Sequence, residues 1–201
     1  MRALKKDSEE MKFTSADLLF LPDDGKQYEI IEGELYVSKQ PNWHHQYACT
    51  KILQALENWN DQTGLGVANN APGLIFADDD DVAPDVIWVS HERLSAILGE
   101  DGKLHAAPEL VIEVSSPGWQ NQQRDRQTKL KLYSRRGVQE YWIVDWQQQT
   151  VELYRRSGFR LKLIATLLRT DRLTSPLLPG FSLQVTDLMM KPPAPTPKRK
   201  S

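Results

Sequence analysis

Apolar residues return along the chain with two different periods, and the switching between them predicts most of the elements. From Trp43 to Thr63, the positions Ala48, Ile52, Ala55, Leu56 and Trp59 recur at three- and four-residue steps, the spacing of one face of an amphipathic helix, with Gly64 as its stop. A second long helix is predicted over 122–136, ended by Gly137. Between and after these lie short runs that suit strands. "YEIIEGELYVS" reads as a hairpin turning at Glu32, Gly33 and Glu34. Further strand candidates are 65–69, 73–76, "DVIWV" (85–89), "ELVIEV" (109–114), "EYWIVD" (140–145), "TVELYRR" (150–156), "FRLKLIATLL" (159–168) and "LQV" (183–185). "TSADLLFLP" predicts a short capped helix stopped by Pro22, residues 91–103 a polar helix or loop, and the acidic stretch after residue 76 a loop. The order is mixed α/β, with more strand than helix and no internal repeat.

Composition bounds this picture. With 201 residues, 40% hydrophobic and 26% charged, the chain can bury one good core. The expected organisation is a flexible segment at 1–13, a single domain at 14–188, and a disordered, proline-rich basic tail at 189–201 that ends "KPPAPTPKRKS". No apolar run approaches the roughly 18 residues that span a bilayer. The start "MRALKKDSEEMKF" is too acidic and polar for a secretory signal, so a cytoplasmic protein with no membrane partner is expected. The single cysteine, Cys49, cannot form an intramolecular disulfide. No Cys/His cluster has zinc-finger spacing, so no structural thiolate zinc site is expected, and Cys49 is assigned to a helix face.

Net charge is −2, without the global basic signature of a protein that coats nucleic acid. Its distribution is uneven. Between Arg124 and Arg136 stand six basic residues and one acid, Asp125, whereas "DDDD" at 78–81 concentrates negative charge ahead of Pro84. Near these poles lie two acids in apolar surroundings: Asp85 opens "DVIWV", and Glu113 interrupts "ELVIEV". Neighbouring strands could bring the two carboxylates together as hard oxygen ligands for Mg²⁺ or Mn²⁺, leaving positions open for water and phosphate oxygens. Lys129 and its basic neighbours would add positive charge against a phosphate, with Arg124, Arg126, Lys131 and Arg135 as nucleic-acid contacts. A plainer account also fits. Glu109, Val111, Glu113 and Ser115 share one face on a period of two and could be the wet face of a strand. Asp85 could be a strand-start residue, and Lys129, four residues after Asp125, a surface helix pair.

The segments "YEIIEGEL" (28–35), His45 in "PNWHHQ", "PDVIWV" (84–89), "ELVIEVSSPG" (109–118), "RDRQTKLKLYSRRGVQEYWIVD" (124–145) and "LLPGFSLQV" (177–185) carry a resemblance. Over roughly residues 14–188 the chain resembles the PD-(D/E)XK nuclease superfamily. Within it, the chain looks like the bacterial family of putative restriction endonucleases, expanded in cyanobacteria and once listed as a domain of unknown function. The resemblance implies a restriction endonuclease-like fold: a central mixed β-sheet flanked by helices, with an extra N-terminal β-hairpin. It places Asp85 and Glu113 as metal ligands, with the backbone carbonyl of Val114 as a further one. The superfamily's lysine two residues after the second acid is absent, since Ser115 stands there, and Lys129 matches the position to which that lysine migrates in this group. Glu29 and His45 match accessory positions near the metal site, where roles as polar groups of a strand and a helix start are equally open.

The implied activity is metal-dependent hydrolysis of DNA phosphodiester bonds, by a metal-activated water, with duplex DNA as substrate and Mg²⁺ or Mn²⁺ as cofactor, in a homodimer. A catalytically silent nuclease-fold module that binds nucleic acid or a protein partner stays open beside it. The segment 91–107 carries no legible code for base recognition.

Overall fold

The structure is a computed structural model that describes residues 12–190. The expectations for the N-terminal segment and the tail therefore lie almost wholly outside the described residues. Where they overlap, the Phe13 amide donates to the Gly33 carbonyl at 2.9 Å and Met189 is buried in the core.

The chain opens with a single 3-10 turn, Asp17–Phe20, followed by the hairpin β1 (Gln27–Ile31) and β2 (Glu34–Ser38). Its two turn residues, Glu32 and Gly33, have φ of 55° and 81°. Positive φ at both central positions is what a tight hairpin that follows the strand twist requires. Helix α1 spans Trp43–Thr63, with the Asn42 side chain accepting from the His44 amide at 2.9 Å and Gly64 closing it at φ 64°. Next come β3 (Gly66–Asn70), β4 (Leu74–Ala77), β5 (Asp80–Val82), β6 (Val86–Ser90), the short helix α2 (His91–Ile97) and β7 (Leu110–Val114).

The second long helical run begins at Trp119, before the predicted 122, and is not uniform. It passes from α3 (Trp119–Gln123) through a π-helical segment (Arg124–Lys129) into α4 (Leu130–Arg136). Then follow β8 (Glu140–Asp145), β9 (Thr150–Ser157), β10 (Arg160–Leu167), β11 (Arg172–Ser175) and β12 (Leu178–Gln184).

Six strands form the central sheet in the order β10-β9-β8-β7-β6-β3, with β7 and β8 parallel and the other pairs antiparallel. Parallel neighbours need a crossover, and the helical run 119–136 supplies it. A second sheet, β2-β1-β5-β4, holds the hairpin, and β11 with β12 form a third. The central sheet is covered on both faces. Ile52, Leu56 and Trp59 of α1 pack against Val86, Trp88, Ile112 and Trp142 on one side, and Leu132 and Tyr133 pack with Ile87, Val111, Tyr141 and Ile143 on the other. Tyr141 and Trp142 therefore serve the core, on opposite faces of β8.

Two expectations change here. The acidic stretch is not a loop throughout: Asp80 and Asp81 begin β5 and are buried. Asp80 accepts from the Glu32 amide at 2.8 Å, from Arg135 at 2.7 Å and from Arg136 Nε at 3.0 Å. The two charge poles of the sequence thus bind each other, joining the hairpin sheet to α4. Nor does β7 have a wet face, since all five of its residues are buried.

Asp80→Ala should destabilise the fold by about 2 kcal/mol, because it strands a buried amide and two guanidinium groups whose partial exposure softens the loss. Urea unfolding checks this, and an unchanged midpoint would mean the cluster does not tie the sheets.

Candidate active site

The register of the central sheet sets the first pair. Val86 lies opposite Ile112 and Ile87 opposite Val111, so one further step places Asp85 opposite Glu113. The Val114 amide donates to Asp85 Oδ2 at 2.8 Å, continuing the pairing through a side chain. Leu110, Ile112 and Val114 face α1, so Val111 and Glu113 face the crossover helix by alternation.

Lys129 comes to Glu113 from that helix. Its Nζ lies 2.9 Å from Glu113 Oε1 and 2.9 Å from Glu29 Oε1, with Glu29 supplied by β1. Tyr133, one turn after Lys129, donates to the same Glu113 oxygen at 2.7 Å. The Ala83 amide donates to Glu29 at 3.1 Å. From α1, His45 Nε2 lies 3.2 Å from Asp85 Oδ2, and its Nδ1 lies 3.6 Å from Cys49 Sγ. The π-helical segment carries Asp125 and Lys129, both buried, and unwinding of this kind recurs where a helix presents side chains to a site. Lys129 is therefore not a surface partner of Asp125.

These groups line one polar cleft of about 100 Å³, whose walls include Glu29, His45, Cys49, Asp85, Glu113, Val114, Arg124, Asp125 and Lys129. The structure thus gathers Asp85, Glu113, Val114, Lys129, Glu29 and His45 in one place. It treats the four expected phosphate contacts differently. Arg124 lies in the cleft wall and donates to Ser38 Oγ at 3.0 Å, with Glu29 at 3.9 Å. Arg126 binds Glu152 at 2.7 Å, Lys131 binds Glu32 at 2.8 Å, and Arg135 binds Glu32 and Asp80 at 2.6 and 2.7 Å. Each of the four has a carboxylate within 4 Å. Asp125, Tyr133 and Cys49 were not singled out for the site from sequence. Their signal was the four-residue step that puts Asp125, Lys129 and Tyr133 on one helix face, and likewise His45 and Cys49.

Four carboxylates in the cleft (Glu29, Asp85, Glu113, Asp125) meet three cations, Lys39 at the rim with Arg124 and Lys129, an excess of one negative charge when all ionise. Burial pushes Glu113 up to about 8 despite Lys129, with Asp85 and the other acids adding to the shift. Burial likewise lifts Asp125 to about 6. At Asp85 burial pulls upward too, but the hydrogen bond and charge of His45, with Lys129 and the Val114 amide, outweigh it and hold this carboxyl low. Lys129 is pushed upward overall, because Glu113 and Glu29 outweigh its desolvation. Among the described residues, no hydrogen bond reaches Asp85 Oδ1 or Glu113 Oε2. Two hard oxygens on paired strands, free and in a cleft with surplus negative charge, fit a divalent cation.

The comparisons agree with this architecture. A crystal structure of a putative nuclease belonging to DUF820, from Anabaena variabilis ATCC 29413, matches with a TM-score of 0.69 at 20% identity, over 88% of this chain and 97% of that one. The fold is accordingly restriction endonuclease-like, a mixed α/β architecture. Residues 15–186 match the Uma2 family, described as putative restriction endonuclease, and the chain belongs to that family. No curated protein sequence matches it.

The raised acids set a pH dependence for the metal-free protein. Both sit above their unfolded values of about 4, so the folded state binds more protons in the window above that. The associated stability is complete below about pH 4 and is lost as pH rises to about 6 for Asp125 and about 8 for Glu113. In chelator, the melting temperature should fall from about pH 5 to about pH 8, and Mn²⁺ should reverse the fall. Thermal melts across that range test it; a rising melting temperature in chelator would contradict the assignment.

Proposed function

We propose that the protein is a divalent-metal-dependent endonuclease that hydrolyses phosphodiester bonds of duplex DNA. The observation that carries this reading is the pairing of Asp85 with Glu113 across two strands, each with one free carboxylate oxygen, beside a buried ammonium. Asp85 and Glu113 would hold Mg²⁺ or Mn²⁺, with the Val114 carbonyl as a third oxygen ligand. The bound cation supplies an activated water at neutral pH and stabilises charge on the phosphoryl oxygens.

The chain's own residues do the rest. Lys129 fixes Glu113 through Oε1, which leaves Oε2 for the ion, and its ammonium faces the charge that grows on phosphorus. Glu29 holds Lys129 from the opposite side, so the ammonium cannot swing away. His45 orients Asp85 through Oδ2 in the same manner. Arg126, Lys131 and Arg135 reach a DNA backbone only by exchanging their carboxylate partners for phosphates. Binding is therefore weak and falls steeply with salt.

The protein acts as a homodimer. Edge strand β10 exposes Leu163 and Ile164, with Phe159 exposed just before it. These apolar side chains are the surface that a second copy would cover, while the exposed Lys162 and the bulge at 163–165 keep the strand edge itself from pairing. Light scattering should give twice the 23.0 kDa chain mass, reduced toward the monomer by Ile164→Lys.

Purified protein with Mg²⁺ or Mn²⁺ should nick supercoiled plasmid. Asp85→Ala and Glu113→Ala should abolish nicking, and Lys129→Met should slow it by about 10²-fold or more. Variants that cut as well as the parent would sink the assignment. A silent parent that still binds duplex DNA would leave a nuclease-fold binding module.

A further inference from the structure

One cluster at the cleft is chemically unlike the carboxylate pair. His45 and Cys49 stand one turn apart on α1, both buried, and their ligand atoms together with an Asp85 oxygen all lie within 4.8 Å of one another. We propose that His45, Cys49 and Asp85 form a second cation site, selective for a thiophilic divalent ion such as Zn²⁺, which shares Asp85 with the hard-cation site.

The ligand atoms lie within about 1 Å of the spacing this ion needs, with the two shortest separations on different nitrogens of His45. With zinc bonds of about 2.3 Å to sulfur and about 2.0 Å to nitrogen or oxygen, the edges of a tetrahedron are roughly 3.6 Å for S to N and roughly 3.3 Å for N to O. Cys49 Sγ lies 3.6 Å from His45 Nδ1, and His45 Nε2 lies 3.2 Å from Asp85 Oδ2. An imidazole ligates one ion through one nitrogen, so the ring turns toward a common centre, and closing the widest separation to a tetrahedral edge takes about 1 Å of movement. Three protein ligands then leave the fourth position for water, and the Cys49 thiol proton goes to solvent as the ion binds.

Thiolate and imidazole together select a borderline-soft ion over Mg²⁺ or Mn²⁺, whereas the Asp85 and Glu113 oxygens do the reverse. The same three residues also align as thiol, imidazole and carboxylate, the order of a nucleophilic triad. Their surroundings oppose that use: Cys49 is buried, and Asp85 and Glu113 add to the burial that pushes its thiol up, where a nucleophile needs an electropositive setting. A cation is what these charges favour. Because Asp85 serves both sites, Zn²⁺ on Oδ2 sets a second positive charge beside Oδ1, weakens the hard-cation site and inhibits cleavage; this consequence, unlike the binding itself, rests on the endonuclease reading.

The test uses the full chain without nucleic acid. Calorimetric titration should show Zn²⁺ binding at least about tenfold more tightly than Mn²⁺. Co²⁺ should produce a near-ultraviolet sulfur-to-cobalt charge-transfer band in the parent protein. Cys49→Ser should remove the band and weaken Zn²⁺ by about tenfold or more, with Mn²⁺ binding unchanged. A parent protein without the band, or a Cys49→Ser variant that keeps its Zn²⁺ affinity, would overturn the site. If the band and the Cys49 dependence hold while neither Mg²⁺ nor Mn²⁺ supports cleavage, the zinc site stands and the endonuclease reading alone falls.

Discussion

The ammonium of Lys129 is the tie on which the cleft depends. It is buried between Glu29 of the hairpin sheet and Glu113 of the central sheet, and it is carried by the helix that crosses from β7 to β8. A buried ion is costly to desolvate and is tolerated only where its partners and hydrogen bonds are complete. Here two carboxylates at 2.9 Å surround the ammonium, and Tyr133 adds a second donor to Glu113 Oε1. Removing Lys129 leaves two carboxylates in low dielectric without their cation, whereas removing either carboxylate leaves the ammonium on a single partner. That constraint fixes three elements relative to one another, and it leaves Glu113 Oε2 and Asp85 Oδ1 as the oxygens with no hydrogen bond of their own.

The rest of the crossover helix follows the same logic with weaker pairs. Arg135 and Arg136 converge on Asp80, Arg126 meets Glu152, and Lys131 meets Glu32. A segment with six basic residues thus presents little free positive charge, in keeping with a net charge of −2. Its cations join the hairpin sheet and β9 to the helix before they are available to a phosphate. The surplus charge in the cleft has the opposite sign, so a phosphodiester approaching it gains attraction chiefly through the cation that Asp85 and Glu113 would hold.

Much of this was legible in the sequence, for reasons that differ from element to element. The bounds of α1 could be read because its apolar face repeats cleanly and Gly64 stops it; the Asn42 cap at its start is what the structure adds. β8 showed as an unbroken apolar run because a strand with a parallel neighbour and both faces covered has no polar side to alternate. Glu113 was visible as an anomaly in such a run. What could not be read is tertiary. Nothing local says that Asp80 and Asp81 begin a buried strand, since a run of aspartates ordinarily means solvent, and the cations that offset their burial lie far along the chain, the arginines 55 and 56 residues after Asp80 and Lys103 at 3.7 Å from Asp81. The π-helical segment leaves no period of its own in six residues. The union of Cys49, His45 and Asp85 joins a helix to the start of a strand 36 residues beyond Cys49, a distance that ligand-spacing patterns do not cover.

Ser115 leaves the room that the buried Lys129 fills from the crossover helix. Two residues past Glu113 on an extended chain, it falls on the face that Glu113 uses, and its hydroxyl is buried with no partner. A lysine there would deliver its ammonium from the strand, toward the space that Lys129 fills from the crossover helix. Lys129 and Tyr133 already occupy Glu113 Oε1, so an ammonium from residue 115 would have to take the same position. The strand-borne and helix-borne lysines are therefore alternatives that exclude each other. A small residue at 115 is what the helical route requires, and Glu29 from the hairpin is what makes that route stable, because it anchors the far side of an ammonium that arrives on a helix and not on the strand of its carboxylate.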